Sequence, residues 1–358
     1  MLMSERSFKI LEAIIDEYIK TGEPIGSKLL AQRLDFPVSP ATVRNEMASL
    51  EQQGFLDHPH TSAGRTPTIK GYKLYIERLV PQSKMTLSQS DISAIESALS
   101  DIGGDSDEML IENASTALAE LTKCAVVSTS NLSRFSVITK VEVIPTGKRV
   151  YVLLLVTSGG EIKNRVCRLS FDLTEEQLDF FTRFADENLS GLNLENVSSE
   201  YIEQIGAALG SYMVSLSPLL KAVADLSGEM TESKVKLEGE TNLIAFEDLK
   251  KQEILSILEN KNAFTELLDN AFSEINVIFG GEEKSGTFTV SNSNSGWESA
   301  GLIAGNFRKG EQTAGSFGVI GPMRLDYKKL IPYIEYFAAE VTKMLSTDEE
   351  MEDDLKNG

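Results

Sequence analysis

The stretch from Val38 to Ile76, VSPATVRNEMASLEQQGFLDHPHTSAGRTPTIKGYKLYI, constrains the N-terminal fold more than any other part of the chain. Ser39 followed by Pro40 marks a helix start, because the serine oxygen can cap the first turn and proline there loses only an unpaired N–H. Helical spacing continues to about Gln53, and Gly54 stops it. From Phe55 to Thr68 the pattern alternates loosely around Ser62-Ala63-Gly64-Arg65, as a two-stranded ribbon would. Upstream, Phe8, Leu11, Ile14, Ile15, Tyr18 and Ile19 fall at helical spacing, with Ser4 as cap and Thr21-Gly22 as stop. A short second helix runs through Lys28, Leu29, Leu30 and Leu34. Three short helices followed by a ribbon is the order of a winged helix-turn-helix.

On a helical wheel Val43, Met47 and Leu50 share the side that faces a core, and Ala41, Asn45, Ala48 and Gln52 lie opposite. Thr42, Arg44 and Ser49 flank that outer face, which is small, polar and without an acid at its centre. Short side chains allow close approach to a major groove, and Arg44 and Asn45 are the types that read base edges through two hydrogen bonds. Ser39 marks a helix N-terminus whose backbone donors suit a phosphate. In the ribbon, Arg65 is expected at a tight turn, with Ser62 and Thr66 able to bond phosphate oxygens and His58 close by. Lys70 and Lys73 follow on the next helix as phosphate contacts. The charge distribution agrees: residues 1–85 hold 11 Lys and Arg against 10 Asp and Glu, while the whole chain carries −20. The acidic remainder disfavours nucleic acid and anionic membrane over residues 86–358.

Other chemistries find little purchase. His58 and His60 are the only histidines, and no cysteine or acidic cluster completes a metal site around them. No Ser-His or Cys-His pair can be built elsewhere, and GGEEKSG and GSFGVIG lack the spacing of a phosphate loop or dinucleotide fingerprint. Neither an enzyme nor a cofactor or metal is expected. Cys124 and Cys167 fit buried apolar positions in a reducing, cytoplasmic setting. The start has no signal-peptide pattern, and the apolar run Val150 to Val156 is strand length, so no membrane partner is expected.

The remainder reads as α+β. Helices are expected over 88–99 and 107–123, antiparallel strands over 125–169, helices over 174–189, 198–226 and 246–272, then strands near 276–279, 287–290, 301–307 and 316–320. A last amphipathic helix spans 327–345. Strands, then helices, then strands with a closing helix imply one α+β domain interrupted by an insertion. Lys284 to Gly301, rich in Gly, Ser and Asn, reads as a mobile loop.

GSKLLAQRL, the Val38–Ile76 stretch and, far downstream, GVIGPMRLDYKKLIPYIEYFA resemble the heat-inducible transcription repressor HrcA family of bacteria. One small departure, in the downstream block, is Leu325 where methionine is expected, a volume-conserving change. The resemblance extends over essentially the whole chain and implies a division. Residues 1–80 would be a winged helix, 81–87 a linker, 88–172 and 271–346 two parts of a GAF-like domain, and 173–270 an inserted, mostly helical dimerisation domain. Residues 347–358 would be an acidic disordered tail. It further implies a homodimer repressing chaperone operons at an inverted-repeat (CIRCE-type) operator in double-stranded DNA, with a GroEL-type chaperonin sustaining its activity. The alternative is a winged-helix regulator that senses a metabolite in the GAF-like domain.

Overall fold

The computed structural model describes residues 3–58, 64–79, 87–100, 102, 106–207, 210, 213–261, 263–269, 275–280 and 296–356. It begins with α1 (Glu5–Thr21), α2 (Ser27–Arg33) and α3 (Pro40–Gln52), then the wing strands β1 (Leu56–Asp57) and β2 (Thr66–Pro67), and α4 (Ile69–Leu79). Ser4 and Ser39 cap α1 and α3 through their side-chain oxygens, and Gly22 ends α1 in the left-handed conformation at φ 68°. Ile10, Leu11, Ile14, Leu30, Val43, Leu50, Tyr72 and Ile76 interlock as the core of this unit.

Next come α5 (Gln89–Ser100), α6 (Asp107–Thr122) and β3 (Ala125–Ser130). The chain then leaves for β4 (Ile138–Gly147), β5 (Val150–Thr157), β6 (Ile162–Arg168), α7 (Glu175–Leu189), α8 (Ser199–Gly206) and α9 (Met213–Thr231). It returns as β7 (Lys234–Glu238), α10 (Glu240–Ile244), α11 (Lys251–Glu259), α12 (Ala263–Asp269), β8 (Ile275–Phe279), β9 (Ala300–Lys309), β10 (Gln312–Pro322) and α13 (Tyr327–Lys356). One antiparallel sheet has the order β7-β3-β10-β9-β8, and a second has the order β4-β5-β6. In the five-stranded sheet, Val126, Ile303, Phe307, Phe317 and Val319 face α6 and α13, while Val127, Leu302, Ala304 and Ile320 face α10 to α12. That is the expected α+β layering.

The division of the strands differs from the expectation. Residues 125–169 do not form one sheet, because β4 to β6 stand apart with their own core. Val141, Leu153, Leu155 and Tyr151 pack there on Phe181, Ala185, Leu219 and Val223. The interruption of the large sheet therefore runs from residue 131 to 233, not 173–270, and β7 lies between the expected helices 198–226 and 246–272, where no strand was expected. Alternation alone does not say which consecutive strands share a sheet. The distinguishing sign is burial: β3 is buried on both faces, whereas β5 alternates buried and half-buried residues. α13 continues through Lys356, over the region expected to be a disordered tail; after Leu345 no proline or glycine interrupts it until Gly358. Residues 81–86 of the expected linker, most of the Lys284–Gly301 stretch and the expected strand at 287–290 lie outside the described residues.

Candidate nucleic-acid interface

α3 presents the surface that its sequence pattern requires. Val43, Met47 and Leu50 are buried, and Ala41, Arg44, Asn45, Ser49 and Gln52 are exposed. Ser39 Oγ accepts from the Thr42 backbone N–H at 3.1 Å and lies 2.8 Å from Thr42 Oγ1, which orders the first turn. Arg44 and Asn45 have no hydrogen-bond or ion-pair partner among the described residues, so both are available to a ligand.

The acids of α3 are held away from that face. Glu46 accepts from Arg6 Nη2 at 2.6 Å and from Ser7 Oγ at 2.8 Å. Burial opposes the charge on Glu46, but the hydrogen bonds from Ser7 and Arg6 and the Arg6 charge outweigh it, and the carboxyl titrates below its ordinary value. Glu51 takes both Arg65 Nε and Nη2 at 2.8 Å. A helix with two carboxylates thus meets its surroundings with their charge largely compensated, which a phosphate-facing surface needs.

Arg65 is where the structure departs most from the expected site. It is not free at the turn: just before β2 its backbone exchanges hydrogen bonds with Ile25 at 3.1 and 3.3 Å, and its guanidinium is committed to Glu51. Gly64 permits that approach, since a Cβ there would lie 2.2 Å from the Ile25 carbonyl. Thr66 pairs with Asp57 across the ribbon. Ser62 of the expected site, like His60, lies outside the described residues. His58 is half-buried, and its backbone N–H donates to Asp57 Oδ1 at 2.7 Å. Lys70 is exposed, donates to the Gln53 carbonyl at 2.8 Å and sits 4.7 Å from the centre of the Phe55 ring. A cation there satisfies a carbonyl at the end of α3 while staying within reach of solvent. Ser49 accepts from Gln53 Nε2 at 3.1 Å, and Lys73 is half-buried. The structure thus groups Ser39, Thr42, Arg44 and Asn45 at the first two turns of α3 and Ser49 and Lys70 at its far end. Arg6 was missed by the sequence reading, since nothing local links residues 40 positions apart.

Elsewhere, both thiols are buried, and burial pushes Cys124 up to about 12. No helix among the described residues is long and apolar enough to cross a membrane.

Comparison with known proteins agrees with this architecture. Residues 2–79 match the family of the winged helix-turn-helix transcription repressor HrcA DNA-binding domain, and residues 108–331 match the HrcA protein C-terminal domain. A heat-inducible transcription repressor HrcA of Acetivibrio thermocellus is 33% identical over 347 residues, spanning 95% of this chain and 96% of the relative. Its counterpart in Ruminiclostridium cellulolyticum is 31% identical over 352 residues, with 96% and 97% covered. A crystal structure of a hypothetical protein matches over 97% of this chain and 99% of that one, at a TM-score of 0.61 and 24% identity, a likeness of fold. Winged helix, interrupted sheet and full-length likeness agree: the chain belongs to the HrcA family of heat-inducible transcription repressors.

Proposed function

We propose that this protein is a transcription repressor that binds an inverted-repeat operator in double-stranded DNA as a homodimer, with α3 as the helix that enters the major groove. The observation that carries the reading is the outer face of α3, where Arg44 and Asn45 are exposed and unpartnered while Glu46 and Glu51 are tied to Arg6 and Arg65. One near-neutral winged helix has a weak electrostatic footprint, so useful affinity calls for two modules acting together.

The second copy is proposed to meet the open face of the β4-β5-β6 sheet. Across that face run the rows Ile144–Val152–Val166, Glu142–Leu154–Asn164 and Lys140–Val156–Ile162. Ile162 and Val166 are 61% and 64% exposed, more than an isolated sheet face tolerates well. Lys140 and Glu142, paired at 2.8 Å, give the patch one charge of each sign, so a two-fold axis can set each lysine against the partner's glutamate. A GroEL-type chaperonin is proposed as the partner that keeps the repressor active, on the ground of family membership. The metabolite alternative has no observation in its favour among the described residues, because both faces of the five-stranded sheet are filled by apolar side chains.

Footprinting of the purified protein on the DNA upstream of its own gene tests the reading. Two protected half-sites of inverted sequence about one helical turn or a multiple apart are expected. Uniform protection at every concentration, or none, would count against it.

A further inference from the structure

The block GPMRLDYKK, from Gly321 to Lys329, is distinctive in sequence yet lies in the C-terminal domain, far from α3 in the chain. The structure shows what it touches. Tyr72 of α4 packs its ring 5.8 Å from Tyr327 and 5.9 Å from Phe279, joining the winged helix to the large sheet through buried aromatic surface. Around that contact stand two cations. Arg324 donates through Nη1 to the Ile19 carbonyl at 3.3 Å, in the last turn of α1, and through Nε to Asp248 at 2.8 Å. Lys328 bonds Glu12 at 2.9 Å and Asp16 at 2.6 Å, one turn apart on α1, and lies 5.4 Å from the centre of the Tyr75 ring. Tyr75 donates to the other oxygen of Asp16 at 2.6 Å.

The bonds to Glu12, Asp16 and Ile19 engage the C-terminal two-thirds of α1, whereas Arg6 and Ser7 at its start hold α3 through Glu46. A helix of 17 residues is about 25 Å long and stiff. α1 is therefore a lever with the core domain gripping one end and α3 held at the other. We propose that Arg324 and Lys328 are positioning residues for operator binding. They fix the angle of α1, and through it of α3, so that the two modules of a dimer accept one separation of half-sites. This rests on the two-module reading above.

The test measures affinity for operators whose half-sites are moved apart by about half a helical turn, roughly 5 base pairs. The full-length wild type is expected to lose about tenfold or more on such a shift, as a mismatched span removes the benefit of linkage. The Arg324→Ala, Lys328→Ala double variant is expected to lose less than about threefold, with unchanged affinity for a single half-site, because a loosened module can search for its site. The Arg324→Lys, Lys328→Arg variant keeps both cations and should recover part of the discrimination. If the alanine variant binds single and paired half-sites more weakly in equal proportion and keeps the wild-type spacing preference, the residues serve stability alone and the proposal fails. If the wild type itself shows no spacing preference, the two-module reading fails first and this proposal falls with it; light scattering on the same samples separates the two outcomes.

Discussion

At the scale of single residues, the candidate interface is defined as much by what is neutralised as by what is offered. Arg44 and Arg65 look equivalent in sequence, each a basic residue in a polar segment, yet only Arg44 is without a partner among the described residues. Arg44→Ala is expected to cost about 1–3 kcal/mol on the operator and to relax discrimination at one base pair, read by competition between operator and single-base variants. Arg65→Ala should act differently. It strips Glu51 of its partner and leaves a carboxylate facing phosphate, so affinity should fall on operator and random DNA alike. An equal loss on both DNAs for Arg44→Ala would remove it from base reading. Glu46 supplies a pH test with a defined sign. Its folded carboxyl titrates below the ordinary value of 4.5, so the stability it contributes is present above pH 4.5 and lost as pH falls through the folded value. Glu46→Gln should thus be less stable than wild type at neutral pH. In urea unfolding the gap should close as the medium is acidified below 4.5; a gap independent of pH would mean that the charge does not matter.

At the scale of elements, local chemistry was readable and partnership was not. Ser39-Pro40, Gly54 and the burial of Val43, Met47 and Leu50 follow from capping, stop signals and periodicity, all contained within a few residues. The first turns of α3, with Thr42, Arg44 and Asn45, were legible for the same reason. The fate of Arg65 was not, because Glu51 lies 14 residues away and Ile25 lies further still. The same limit hid the split between the two sheets: β3 pairs with β10 and β7, both more than 100 residues downstream, and not with the β4 that follows it. Only tertiary packing selects those partners. The three-stranded sheet that results carries the second testable surface. Val166 is 64% exposed, so Val166→Glu should change the stability of one subunit by no more than about 0.5 kcal/mol. Across a self-paired sheet face it would set like charges into an apolar contact. Light scattering should then report a mass near 39.3 kDa in place of the proposed dimer, with operator affinity falling in step. A variant that remains dimeric would move the interface elsewhere.

At the scale of the whole molecule, the cores do not follow the order of the chain. One continuous apolar cluster runs from Ile10 and Val43 of the winged helix through Tyr72 to Phe279, Tyr327 and Phe317 of the C-terminal domain, while β4 to β6 and helices α7 to α9 enclose another around Phe181 and Leu219. Cooperative unfolding units track shared buried surface, so the winged helix and the five-stranded sheet should open together and the inserted unit separately. Tyr72 is the residue on which to test this. Its ring is buried in the junction, and its hydroxyl has no hydrogen-bond partner among the described residues. Tyr72→Phe removes only an unsatisfied hydroxyl and should leave stability unchanged or raise it. Tyr72→Ala opens a cavity in a place both units share and should cost about 3–5 kcal/mol. Hydrogen exchange followed by mass spectrometry on warming then distinguishes the arrangements. In Tyr72→Ala, amides of α1 and α3 and amides of β9 and β10 should lose protection at the same lowered temperature, with β4 to β6 unchanged. Such coupling would make the candidate DNA-reading surface report the state of the C-terminal domain without any bound effector. Loss of protection confined to the winged helix would instead mean that it melts as an independent module, held to the core by contacts too weak to share its stability.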